Sequence, residues 1–256
     1  MWSRETVALF LVIAMLPLAV VWLTGAGWDG AIRLLAALAI TYGWQLAFLL
    51  LRAQPPSLAG VVTAFAIAVL APTGLGAFAF VLGVSFGVVI GELAFGGWGR
   101  NILHPATVAI AFLGFGYPAA PWPELSILIT WGACGTLALA VAFGLYAIRL
   151  VAGTAIALSL AALVGLPVTD PFTAPAILAS FALLVCDPVT SANTQTGRWM
   201  QGLFYGALIA LFLAVWDGAA TTQLALSAAL LANLAAPLLD EIALLLWQAT
   251  RRNRHG

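Results

Sequence analysis

Apolar residues run through this chain in long unbroken stretches, and the polar positions gather in the short segments between them. A membrane-crossing helix takes roughly 20 apolar residues. On that ruler the stretches fall at 5–25, 31–52, 57–71, 75–95, 102–118, 126–148, 150–167, 174–187, 199–216 and 221–249. The pattern predicts an all-α integral membrane protein of about ten transmembrane helices. Its linkers are too short for a soluble domain, so residues 1–256 read as a single membrane domain. The stretch after Arg4 lacks a small-residue cleavage site and reads as a first spanning helix, not as a removed signal peptide. Two stretches, 57–71 and 174–186, are short for a crossing and are stopped by Pro72 and by Asp187-Pro188. Proline denies the residue before it an easy helical conformation, so both predict broken half-helices.

The basic residues give the pattern a direction. All nine are arginine. With the N-terminus inside, Arg4, Arg52, Arg100, Arg149, Arg198, Arg251, Arg252 and Arg254 fall at cytoplasmic ends. Asp29, Glu124, Asp170 and Asp217 fall outside, and Arg33 is the one misplaced base. That asymmetry follows the positive-inside rule and predicts both termini in the cytoplasm. Trp2, Trp22, Trp28, Trp98, Trp122, Trp199, Trp216 and Trp247 lie near predicted segment ends, as interfacial indoles do. Trp44 and Trp131 do not, and are expected between helices.

Landmarks also recur. Arg33 and Arg149, Pro55 and Pro171, and Pro72 and Pro188 are each 116 positions apart. The offset covers five segments, and an odd repeat inserts its second copy upside down. It predicts two inverted five-helix repeats, about 5–118 and 126–249. Broken segments at matching places of inverted repeats point to a site near the midplane. Irregular backbone survives in a membrane only where protein or a cavity surrounds it.

Composition agrees with this reading. The chain is 64% hydrophobic and 7% charged, where soluble domains carry about 25% charged residues. A net charge of zero offers nothing to nucleic acid. Cys134 and Cys186 sit in or at the end of apolar stretches without C-x-x-C spacing. They read as two buried thiols, and no metal site is expected.

The few polar side chains near apolar stretches are the candidates for chemistry, because they are costly there. One knot holds Arg100, Asn101 and His104. A second holds Asp187, Thr190, Ser191 and Asn193, followed by Thr196-Gly197-Arg198-Trp199. Asp187 is either a surface carboxylate paired with Arg198 or Arg100, or an acceptor for a polar ligand ring or a cation. Asn101 is either the cap of a helix that opens with Pro105, or a ligand contact sharing a face with His104. Glu92, late in the fourth segment, is either an ion or proton relay or an interface residue. Asp240-Glu241 marks a kink after Pro237 or a partner contact. Gly83, Gly87 and Gly91 form a small-residue face, expected to let helices pack closely.

The two knots, taken with a third block, resemble a known family. Gly99-Arg100-Asn101-Ile102-Leu103-His104-Pro105-Ala106 is similar to the Gly-Arg-Asn-x-x-Asn-Pro-Ala segment of the NqrB/RnfD family. Asp187-Pro188-Val189-Thr190-Ser191-Ala192 and Leu230-Leu231-Ala232-Asn233, running on to Asp240, resemble its later blocks in the same order. The resemblance implies a membrane subunit of a Na+-translocating NADH:quinone reductase or of the Rnf complex. It also implies a urea-transporter-like fold of ten helices in inverted repeats, and other membrane subunits as partners in the cell inner membrane. It implies a non-covalent flavin, riboflavin or FMN, near the cytoplasmic side, with contacts mapping to Asn101, His104 and Asp187; Arg100 and Thr190 flank them. The family's His104 counterpart in the quinone reductase is asparagine. A second family feature, FMN joined through phosphate to a threonine of an outer loop, is not expected. The corresponding loop, 118–125, has no threonine, and the lookalike Asp217-Gly218-Ala219-Ala220-Thr221 stands in another loop with different spacing.

Two functions follow. The first is a subunit of an ion-coupled electron-transport complex that holds a non-covalent flavin. The second is a solute or ion transporter or channel on the urea-transporter-like scaffold, without cofactor. The retained knots favour the first and the missing threonine loop the second.

Overall fold

The computed structural model describes residues 3–255. Its helices are α1 (Arg4–Ala14), α2 (Leu16–Arg52), α3 (Ala59–Leu70), α4 (Ala77–Gly91), α5 (Pro105–Gly116), α6 (Leu128–Ala142), α7 (Ile148–Leu163), α8 (Ala174–Ser180), α9 (Gln195–Val215) and α10 (Thr221–His255). A 3-10 turn over Leu93–Phe95 extends α4, and a π turn over Phe181–Val185 extends α8. Every predicted apolar stretch contains helix. Four stretches are long and apolar enough to cross a membrane unaided: Leu16–Arg52, Ala77–Phe95, Gln195–Val215 and Thr221–Arg251. The protein is an all-helical, multi-pass membrane protein.

The first two predicted segments divide differently from the expectation. The chain breaks at Met15, just before Pro17 enters the first turn of α2. It then folds back inside α2 at Gly27, whose φ of 59° and ψ of −145° are not helical. A Cβ added to Gly30 would run into the side chain of Ala26. On a straight helix, side chains four apart stand about 5–6 Å from each other. The bend therefore falls where the apolar pattern places a linker, and α2 comprises two helical limbs.

The centre of the bundle is made by the two short helices. All residues of α3 except Val61 are buried. So are all residues of α8 except Leu178, and all five of the π turn. A helix that is apolar all round belongs inside protein. At 12 residues α3 reaches about 18 Å, too little for a hydrocarbon layer of about 30 Å. Around this centre α4 and α5 pack through glycine: a Cβ on Gly87 would stand 2.6 Å from the Pro105 carbonyl oxygen, and one on Gly91 would stand 3.0 Å from Pro105 Cα. The expected close-packed face is thus present.

Hydrogen bonds define two opposite ends. At one, which we call the knot end, Glu5 Oε2 accepts from the Leu58 amide at 3.0 Å and Asp240 holds the 193–194 backbone. At the far end, Thr73 N donates to Pro121 O at 2.7 Å, Thr222 Oγ1 to Pro123 O at 2.5 Å and Thr221 Oγ1 to Phe172 O at 3.0 Å.

Three expectations about single residues are corrected. Trp131 is 72% exposed on the outer surface of α6, and Trp44 is partly exposed, donating to Ser85 Oγ. Trp22 and Trp98, expected at the interface, are buried. Cys134 is exposed, three residues from Trp131 on the same helix, while Cys186 is buried; both thiols are free. In each case an apolar stretch alone carries no sign of which helix face meets protein and which meets lipid. Trp2 lies outside the described residues.

Candidate functional site

The two polar knots meet at the knot end. The first forms between α4 and α5. Glu92 closes α4, and its carbonyl accepts from Phe95 N and Gly97 N. Gly96, Gly97 and Gly99 then take φ of 103°, 89° and 96°, a left-handed region that side chains resist. This tight loop buries the residues that follow. Asn101 accepts from Gly99 N and donates to Leu103 O, both at 3.2 Å. Asn101 is therefore not the helix cap; His104 holds that place, with extended backbone before Pro105. Nor do Asn101 and His104 share a helix face, because Asn101 belongs to the loop.

The second knot follows the π turn. Asp187 is 4% exposed, and its Oδ2 accepts from Thr190 N at 3.1 Å and Thr190 Oγ1 at 3.0 Å. Arg198 turns elsewhere, donating from Nε to Ala192 O at 3.0 Å. Among the described residues the ion pair present is Arg4 with Glu5. The surface-pair reading of Asp187 is therefore corrected: its partner is a threonine in the same turn.

Burial joins the knots. Glu92, Asn101, His104, Asp187, Thr190 and Ser191 are all buried, and Arg100 stands exposed at the rim. The charge of Asp187 is felt at both His104 and Glu92. Two groups here have unused hydrogen-bonding capacity: His104 Nδ1 and Glu92 Oε2 are buried without a hydrogen-bond partner. Polar atoms left this way inside a protein are costly. The side chains of Asn101 and Thr190, in contrast, are engaged within their own loops.

Several residues that hold the site were not singled out from sequence. Tyr146 donates to Ala182 O at 2.7 Å, and Asn233 Nδ2 to Leu184 O at 2.9 Å. Gln201 Oε1 accepts from Ala192 N at 2.8 Å. Asp240 accepts from Asn193 N at 2.7 Å, and from Thr194 N at 2.8 Å and Thr194 Oγ1 at 2.6 Å. Asp240 thus ties α10 to the second knot, and α10 runs on through Pro237. The signal was available as a lone polar residue in an apolar stretch, most plainly at Asn233 and Gln201.

Chemically, His104 and Asp187 present a ring nitrogen and a carboxylate from two different loops. Such a pair suits the donor and acceptor groups along one edge of a planar heterocycle. The donor set fits an isoalloxazine edge at these two residues; Asn101 would have to exchange its local bonds to join them.

Comparison with known proteins bears on the same region. The profile of the NQR2, RnfD, RnfE family matches residues 3–131, half of the chain. The curated relatives it resembles are B subunits of the Na(+)-translocating NADH-quinone reductase. The one from Stutzerimonas stutzeri is 36% identical over 124 residues, 45% of this chain and 31% of the relative. That of Azotobacter vinelandii is 36% identical over 138 residues, 51% of this chain and 33% of the relative. That of Yersinia pestis is 42% identical over 76 residues, 30% of this chain and 18% of the relative. The matched stretches thus span a third or less of these relatives' length. With the glycine loop, Asn101 and His104 all inside the matched region, the chain belongs to the NQR2, RnfD, RnfE family.

Proposed function

We propose that this protein is a membrane subunit of an ion-coupled electron-transport complex of the Nqr or Rnf kind, holding a non-covalent flavin, riboflavin or FMN, at the knot end. The observation that carries the reading is the joint burial of His104 and Asp187, from loops far apart in sequence, with His104 Nδ1 unpartnered. The names of the relatives support the class of complex, and other membrane subunits would be its partners. A flavin would supply one- and two-electron transfer. The chain's own residues would bind and orient it. Asp187, pinned by Thr190, accepts from an imide N–H; His104 meets a ring nitrogen or carbonyl; the glycine loop lets backbone approach closely. Glu92 is buried beside them and is suited to hold or relay a proton or an ion.

The same reading includes ten crossings in two inverted repeats, with both termini in the cytoplasm of an inner-membrane protein. The offset of 116 that relates Pro72 to Pro188 also carries the first residue of α5, Pro105, onto the first of α10, Thr221. Arg4, Arg52, Arg100, Arg149 and Arg198 all lie toward the knot end, which supports placing that end inside.

A cofactor-free transporter is the second reading, favoured by one observation: the α5–α6 loop has no threonine and is held down by Thr73 and Thr222. The visible spectrum of gently purified protein decides between them. Flavin absorbance that leaves with the supernatant on denaturation supports the first reading. A flavin-free protein, purified with its partners, supports the second. Fluorescence that stays on the denatured band would contradict the expected absence of covalent FMN.

A further inference from the structure

The one arginine at the far end, Arg33, is not a loop residue. Its Nη2 donates to the carbonyls of Ala71 and Pro72, the latter at 2.8 Å. These carbonyls close the C-terminal end of α3, where helix dipoles gather partial negative charge. The guanidinium lies over the Phe80 ring, 5.5 Å from its centroid. Nε is buried without a partner. Among the described residues no carboxylate lies within ion-pair distance of it. Arg33 is thus a cation held by carbonyls and an aromatic ring, not by an acid.

Its surroundings favour positive charge. On one side is a cavity of about 580 Å³ whose lining includes Trp22, Asp29, Thr73, Trp122 and Glu124. On the other is one of about 370 Å³ that includes Asp29, Ile40, Pro72 and Phe80. Arg33 lines both and stands between them. The other short helix is finished differently. Near the end of the α8 unit, the carbonyls of Ala182 and Leu184 take neutral donors, Tyr146 and Asn233. At the opposite end of α3 a fixed anion, Glu5, meets the Leu58 amide. The chain neutralises both ends of α3 with its own side chains.

Ends of broken helices with free carbonyls are where membrane proteins hold small cations. We propose that Arg33 is a tethered cation filling a built cation site at the far end of α3. The larger cavity is the entrance through which a free monovalent cation of guanidinium type reaches that site once the side chain is removed. In the intact protein Arg33 keeps the position loaded, so the two acids at the mouth draw no free cation into the bundle. This inference does not depend on the flavin reading.

Chemical rescue tests it. In full-length protein, Arg33→Ala lowers the melting temperature, and millimolar methylguanidinium restores most of the loss. Urea has the same planar shape without the charge, and charge-assisted bonds are roughly twice as strong as neutral ones, so urea is at least about tenfold less effective. Wild-type protein responds to neither. Arg33→Lys retains most of the stability without additive. Where Arg33→Ala yields too little folded protein, Arg33→Gln is measured in the same way. Equal effects of methylguanidinium and urea on the variant, or a variant that melts with the wild type, would overturn the proposal.

Discussion

Asn233 of α10 donates its side-chain amide to the carbonyl of Leu184, 2.9 Å away, and so fixes the half-helix that presents Asp187. The bond is buried and crosses between distant parts of the chain. Replacing Asn233 by leucine removes the donor and leaves the Leu184 carbonyl unpaired. Such a loss costs about 1–3 kcal/mol. The expected result is a lower melting temperature together with weaker flavin retention, since Asp187 is three residues beyond. Retention that is unchanged at a reduced melting temperature would detach the site from this brace.

Asp187→Ala removes a charge-assisted acceptor worth roughly 1.5–3 kcal/mol, so flavin retention falls about tenfold or more. His104→Ala acts in the same direction. The exposed Arg100 is the comparison: Arg100→Ala should change retention little. Flavin per protein across the three variants checks this. If all three keep wild-type content in a flavin-loaded protein, the flavin lies elsewhere.

Asp240 gathers three donors from Asn193 and Thr194. In Asp240→Ala the loop after the second knot loses its tie to α10. Limited proteolysis should then cut near 193–196 much faster than in the wild type, while helix content by circular dichroism stays constant. Equal cutting rates would mean that Gln201 and Arg198 hold the loop alone.

Gly87→Leu sets a branched side chain against the backbone of α5 at Pro105. Overpacking of this kind costs about 1–3 kcal/mol or more. Because α5 begins at the first knot, the variant should lose thermal stability and flavin together. Gly43, which meets nothing within 4 Å, provides the control, and Gly43→Ala should melt near the wild type.

Reporter fusions test the membrane orientation. A reporter after Gly256 should be active in the cytoplasm, and one inserted at Glu124 should be active outside. The reverse result at either position contradicts the arginine-based topology.

Sequence reading found the helical stretches because apolar length is written directly in the chain, and it found both half-helices because Pro72 and Pro188 stop them. It placed Asp187, His104 and Glu92 among the candidates for a reason that holds in the structure, the cost of polar groups in an apolar setting. It could not say that Asp187 turns to Thr190 instead of Arg198, since that depends on how the turn winds. Facing was equally hidden. Trp131 and Trp22 sit in similar stretches, yet one points outward and the other inward. Arg33 looked out of place by counting, and only the packing of α3 against α2 and α4 accounts for it.

The π turn has a consequence for how this protein tolerates change in length. In an α-helix the Cys186 amide would reach the carbonyl of Ala182; here it reaches back to Phe181, at 3.0 Å. Ala182 is thereby free to accept from Tyr146. The half-helix carries one residue more than α-winding between its anchors would use. Deleting a single residue from Phe181–Val185 would turn everything after it by about 100°, taking the Ala182 carbonyl from Tyr146 and aiming Asp187 at a different neighbour. Insertions and deletions that a surface loop absorbs would, in these five positions, change which side chain looks into the site.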